Sequence, residues 1–200
     1  MDPDESPPSD DSDRNDASLV DRMRVGDATA LGTLMDRHAA ALHRFARRIV
    51  RRTDLADDVV QDVFVSLWER REGLVIAESV RAYLYRATRN QALKTVRHEQ
   101  AEARAQFHAG HSGDAESGAT GQYAHNEGES DVAAEELETI VRRTLETLQP
   151  QLREVFLLRQ LHGLSYEEIS GTLGLKVVTV RSQMSRALRI LTEAVEQGWR

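Results

Sequence analysis

The sequence predicts an all-α protein: two small helical domains joined by a flexible acidic linker. Three observations carry this reading. Apolar residues recur at three-and-four spacing in several separate segments, with no strand-like alternation of useful length. Two hundred residues allow one large domain or two small ones. Charge is segregated along the chain: residues 1–18 sum to −6 and residues 99–138 to −9, whereas residues 19–98 sum to +5 and residues 139–200 to +3. The segments with apolar periodicity are basic and those without it are acidic. A net charge of −7 therefore does not exclude nucleic acid as a partner, because the sign of each domain matters more.

Residues 1–17 are rich in Asp, Ser and Pro, and read as a disordered acidic tail. A short helix is expected from Ser18, with Asp21 three residues on as a capping-box variant, ending at Gly26. Asp27 then caps a second helix, whose stripe is Leu31, Leu34, His38, Leu42, Phe45 and Ile49. The third helix, DLADDVVQDVFVSLWER over residues 54–70, is expected to be capped by Thr53 or Asp54. It buries Leu55, Val59, Val60, Val63, Phe64, Leu67 and Trp68, and turns Asp57, Asp58, Gln61, Asp62 and Glu69 outward. After the loop REGLVIAE, Ser79 caps a fourth helix running to about His98. Residues 18–98 thus form the first domain, small for an independent core.

Residues 99–130 lose the pattern in a run rich in Gly, Ser, Ala and acids, and read as a linker. A second domain over residues 131–197 starts with Leu137, Val141, Leu145 and Leu148. Pro150 suits the first turn of the next helix, which Gly163 closes. In LSYEEISGTLGLKVVTVRSQMSRALRIL, Ser165 and Glu168 make a capping box, Leu164 and Ile169 a hydrophobic staple, and Gly174 a helix end. A longer helix then carries Val180, Met184, Leu188 and Leu191 inward. Two helices joined by a Gly-containing turn are a helix-turn-helix, and the second presents Arg181, Ser182, Ser185, Arg186 and Arg189 outward, suited to a major groove. Its start at Lys176–Val177 lacks an ordinary capping residue.

Composition excludes several functions. With no cysteine there is no disulfide framework and no thiolate ligand or nucleophile, which is compatible with a reducing cytoplasm. No apolar run approaches membrane-spanning length, and the acidic N-terminus is the opposite of a signal peptide, so a cytoplasmic protein without membrane insertion is expected. Asp58 and Asp62 lie one turn apart, but a magnesium site needs substrate or further ligands. His108, His111 and His125 fall in the linker without a scaffold, so no metal or cofactor is expected. There is no Gly-rich phosphate loop, catalytic carboxylate pair or serine elbow, and no enzyme is expected. On the fourth helix, Arg86, Asn90, Lys94 and Arg97 share one face with Tyr83 and Tyr85 nearby. That combination can hold phosphates, read base edges and stack unpaired bases.

Three blocks in order, DLADDVVQDVFVSLWE, SVRAYLYRATRNQALKTVR and LETLQPQLREVFLLRQLHGLSYEEISGTLGLKVVTVRSQMSRAL, resemble a bacterial RNA polymerase sigma factor of the extracytoplasmic-function (ECF) type. The resemblance covers about residues 18–98, like sigma region 2, and 131–196, like region 4. It implies that Asp58, Gln61 and Asp62 dock on the basic β′ clamp helices of core polymerase, while the second domain meets the β flap. It implies that Tyr83, Arg86, Asn90 and Lys94 serve minus-ten melting and base capture. Arg181, Ser182, Ser185 and Arg186 match positions that reach the minus-thirty-five element. An anti-sigma factor is the family's usual control partner. Ser185 and Gln183 depart from the family's common residues, so the promoter sequence preferred does not transfer. The rival expectation is a stand-alone helix-turn-helix regulator that binds its promoter without polymerase.

Overall fold

Asp27 separates α1 (Asp10–Arg24) from α2 (Ala28–Val50) in the computed structural model, which describes residues 10–76, 79–109 and 132–198. Its carboxylate accepts from the Thr29 amide at 2.9 Å and hydroxyl at 2.6 Å, and from Arg22 Nη2 at 2.7 Å. The Thr29 hydroxyl and the Arg22 guanidinium together hold the Asp27 carboxyl at about 2. Gly26, at φ 92°, makes the preceding turn, a conformation most side chains avoid.

α1 starts at Asp10, eight residues before the expected Ser18, so Asp10–Ala17 are helical rather than part of a disordered tail. Residues 1–9 lie outside the described residues. Part of this stretch is held by a tertiary bond that periodicity does not register. Asp16 is buried and accepts from Arg37 Nη1 at 2.9 Å and His38 Nε2 at 2.6 Å, both on α2. Ser18 and Asp21 are consequently interior helix positions.

α3 (Thr53–Glu69) has Arg52 at its N-cap with no side-chain cap, so neither Thr53 nor Asp54 serves as expected. Arg52 instead donates to Asp54 and, at 2.9 Å, to Glu99. A 3₁₀ turn, Arg71–Gly73, follows. α4 (Val80–Ala109) has its Ser79 hydroxyl accepting from the Ala82 amide, as a cap does, but runs eleven residues beyond His98 into the expected linker. Residues 99–109 are mostly Ala, Glu, Gln and Arg with no Gly or Pro, so helix propensity extends α4 where apolar spacing has ended. Residues 110–130 of that linker lie outside the described residues.

The chain divides into two compact units, Met1–Gln122 and Tyr123–Arg200. In the first, α2 packs on α1, α3 and α4, and α3 packs on α4. Met23, Leu34, Leu42, Val59, Phe64, Leu67, Leu84 and Tyr85 are fully buried there. Tyr85 packs against Phe45 with ring centroids 5.2 Å apart, which removes it from the expected base-stacking surface.

The second unit holds α5 (Val132–Thr147), α6 (Pro150–Gln160), α7 (Tyr166–Leu173) and α8 (Val177–Gly198). Leu145, Leu148, Leu152, Ala187 and Leu191 form one core cluster. Pro150 stands in the first turn of α6, and Gly163 takes a left-handed φ of 61° beyond its end. The Ser165–Glu168 capping box is complete, Leu164 and Ile169 are fully buried, and Gly174 caps α7 at φ 68°. α8 buries Val180, Met184, Ala187 and Leu191, while Leu188 is 41% exposed, contrary to expectation. The stripe steps three residues from Met184 to Ala187, and Leu188 is rotated about 70° from its centre. Among the described residues all regular structure is helical.

Candidate functional site

On α3 the apolar stripe turns Ala56, Val59, Val60, Val63, Phe64 and Leu67 inward. Asp57, Asp58, Gln61 and Asp62 are exposed on the opposite side. Asp57 stands 3.1 Å from His43 Nε2 of α2. Asp62 accepts from Gln91 Nε2 of α4 at 2.7 Å. That bond joins the acidic face of α3 to the edge of α4 and holds one carboxylate of the expected docking set in place.

α4 exposes Arg86, Asn90, Lys94 and Arg97 in one row, with Tyr83 half-buried beside it. The four side chains repeat at three-and-four spacing, so they form a continuous cationic and amide strip about three turns long. Two arginines secure the segment leading into α4. Arg71 donates to the Trp68 carbonyl at 3.0 Å with its guanidinium 4.4 Å from the Trp68 ring. Arg24 of α1 donates to the Leu74 carbonyl at 2.6 Å.

On α8 the residues Arg181, Ser182, Ser185, Arg186 and Arg189 are all exposed, as expected. Ser185 donates its hydroxyl to the Arg181 carbonyl at 3.0 Å. Gln183 lies at the edge of this face and donates to Gln151 of α6 at 3.2 Å, so it fastens two helices together. Tyr166, the first residue of α7, lies between two guanidinium groups, 4.9 Å from Arg159 and 5.3 Å from Arg181. Glu167 stands 3.9 Å from Arg181 on the same side. Tyr166, Arg159 and Gln91 escape sequence reasoning because each acts across elements. Arg44, Arg47 and Arg48 of α2 and Arg51 at its C-cap are also exposed, at three-and-four spacing.

No group of three or more His, Asp or Glu among the described residues is placed to hold a metal ion. No helix among them is long and apolar enough to cross a membrane. His108 falls in α4, and His111 and His125 lie outside the described residues.

A charged face on one helical unit and an arginine-bearing helix-turn-helix on another describe a modular DNA-directed transcription factor. Family models agree: sigma-70 region 2 matches residues 34–102, and sigma-70 region 4 matches residues 138–191. The chain is 32% identical over 182 residues to the ECF RNA polymerase sigma-E factor of Escherichia coli, covering 90% of this chain and 94% of that protein. It is 29% identical over 188 residues to the sigma-E factor of Haemophilus influenzae, covering 90% and 95%. Among solved structures, CnrH in complex with the cytosolic domain of CnrY superposes with a TM-score of 0.60 at 26% identity, covering 91% of this chain and 97% of that one. The sigma factor RpoE of Bartonella quintana, in complex with the anti-sigma factor NepR, shares the fold with a TM-score of 0.59 at 22% identity, over 82% and 96% of the two chains.

The chain belongs to the ECF family of RNA polymerase sigma factors. Its function is to bind core polymerase and direct promoter recognition and transcription initiation, and the stand-alone regulator is not favoured. Sigma factors are non-enzymatic initiation factors.

Proposed function

We propose that the two faces divide the work of promoter-directed initiation residue by residue. Asp58, Gln61 and Asp62 of α3 grip the basic β′ clamp helices of core polymerase, and the second unit meets the β flap. Charge-assisted pairing of exposed carboxylates with arginines gives orientation and fast association. The observation that carries this is the position of these three polar residues on the exposed side of α3, centred on Asp58 opposite the buried stripe. The domain of residues 18–98 melts the minus-ten element through Tyr83, Arg86, Asn90 and Lys94, where extrusion of a base costs a few kcal/mol and favours steps that open easily. The domain of residues 131–197 reads the minus-thirty-five element through Arg181, Ser182, Ser185 and Arg186. This work takes place in the cytoplasm, beside core polymerase and promoter DNA.

An anti-sigma factor is a further partner under this reading. Two structures of like fold are complexes, one with the cytosolic domain of CnrY and one with the anti-sigma factor NepR. Transcription reconstituted from purified core and this chain tests the assignment. Promoter-specific transcripts should appear only with both components. Asp58→Arg should weaken co-purification with β′, whereas Lys94→Ala should leave assembly intact and slow promoter opening. Specific promoter binding by the chain alone, undiminished by Asp58→Arg, would overturn it.

A further inference from the structure

The first turn of α8 carries two adjacent valines in different surroundings. Val177 is half-buried, and Val178 is 78% exposed. A single exposed apolar side chain is ordinary. What distinguishes Val178 is its bearing. At 3.6 residues per turn it stands about 60° from Arg181, about 40° from Ser182 and about 20° from Ser185. It points about 120° or more away from the buried set of Val180, Met184, Ala187 and Leu191. Val178 therefore sits in the middle of the polar face, not at its apolar margin.

In a helix-turn-helix the N-terminal residues of the second helix enter the major groove and contact base edges. Valine has neither donor nor acceptor and cannot read a hydrogen-bonding pattern. The groove feature that rewards an apolar side chain is the C5-methyl of thymine. β-Branching leaves Val178 few rotamers in a helix, so little freedom is lost in making that contact. The flanking Arg181 and Arg186 supply the phosphate and guanine attraction that brings a duplex to this face.

We infer that Val178 is a specificity-determining residue of α8 and makes an apolar contact with one thymine methyl in the major groove of the upstream promoter element. This rests on α8 being the duplex reader. The test uses holoenzyme assembled from core polymerase and the full chain, with promoter duplexes in which each upstream thymine is replaced singly by deoxyuridine, deleting only the methyl. One replacement should weaken binding about fourfold, the transfer value of one methyl group. Val178→Ala, at an exposed site and with good helix propensity, should weaken binding to the thymine duplex similarly and erase the deoxyuridine effect. An equal deoxyuridine effect in both proteins, or none in either, overturns the inference. So does loss of holoenzyme assembly in Val178→Ala without a change in DNA preference, which would mark a protein-docking position. Arg186→Ala separates the two levels. If it weakens binding while no deoxyuridine does, only the inference about Val178 fails. If it too is without effect, the reading of α8 fails.

Discussion

Asp16 shows how one residue extends an element past its apolar pattern. Burial pushes its carboxyl up, but the hydrogen bonds and charges of His38 and Arg37 outweigh this and hold it below its ordinary value of 3.8. The unfolded chain therefore binds a proton more readily than the native one between the two values. Asp16 contributes stability that is fully present above about pH 4 and is lost as pH falls through the native value. Asp16→Asn should lower stability at neutral pH by about 1–3 kcal/mol, because a buried bond network loses its negative charge and one of its two acceptor oxygens. Thermal unfolding followed between pH 7 and pH 3 should show the variant less sensitive to acid than the parent; parallel curves would count against the role. Arg186 belongs to the same scale on the DNA side. A bidentate arginine–guanine pair is worth about 1–3 kcal/mol of discrimination. Arg186→Ala should relax preference at one upstream base pair about 5- to 150-fold, read from holoenzyme binding to single-base promoter variants. A uniform loss across all variants would reassign Arg186 to a phosphate.

At the scale of elements, the α7–α8 pair was the most legible part of the chain because its signals are local. The Ser165 hydroxyl accepts from the Glu168 amide at 3.0 Å, and the Glu168 carboxylate accepts from the Ser165 amide at 2.7 Å. All of that geometry is fixed within four residues. Ser165→Ala should cost about 1 kcal/mol, seen as a fall in Tm of about 4–8 °C for a unit of this size. Gly174→Ala should cost a similar amount from backbone strain alone, since a Cβ there meets nothing within 4 Å. An unchanged Tm in either variant, read by circular dichroism, would refute the capping argument. Where the reading missed, the deciding interaction came from afar or from propensity without periodicity. α1 reaches back to Asp10 beside an anchor on α2, and α4 runs on to Ala109 through good helix formers. Neither Thr53 nor Asp54 caps α3, because Arg52 occupies the cap and ties Asp54 to Glu99. The candidate faces were legible as to which residues are exposed. Their partners were not: Gln91 lies 29 residues from Asp62, and Tyr166 meets Arg159 and Arg181 across two helix boundaries.

For the whole molecule, the segregation of charge bears on when the promoter is bound. The basic sums belong to residues 19–98 and 139–200, while residues 1–18 and 99–138 are strongly acidic. Phosphate attraction supplies most of non-specific DNA affinity, and it weakens when acidic segments share the chain. Free protein should therefore bind promoter duplex weakly, with a shallow dependence on salt. Under the proposed docking, core polymerase would engage the carboxylates of α3, hold both readers on one duplex and raise the effective concentration of each for its element. On that proposal the acidic face of α3 is the condition for the arginines of α4 and α8 to act together. Reversing it with Asp58→Lys and Asp62→Lys should lower affinity for core by a factor of ten or more, because like charges then face the partner's basic helices. The same change should raise non-specific DNA binding by the free chain, since two carboxylates become two cations and the logarithmic salt slope steepens by up to about two units. Measuring both quantities on one variant discriminates sharply. Loss of core binding together with gain of DNA binding identifies α3 as a protein-facing surface, whereas loss of both would mean that the acids support the fold rather than the assembly.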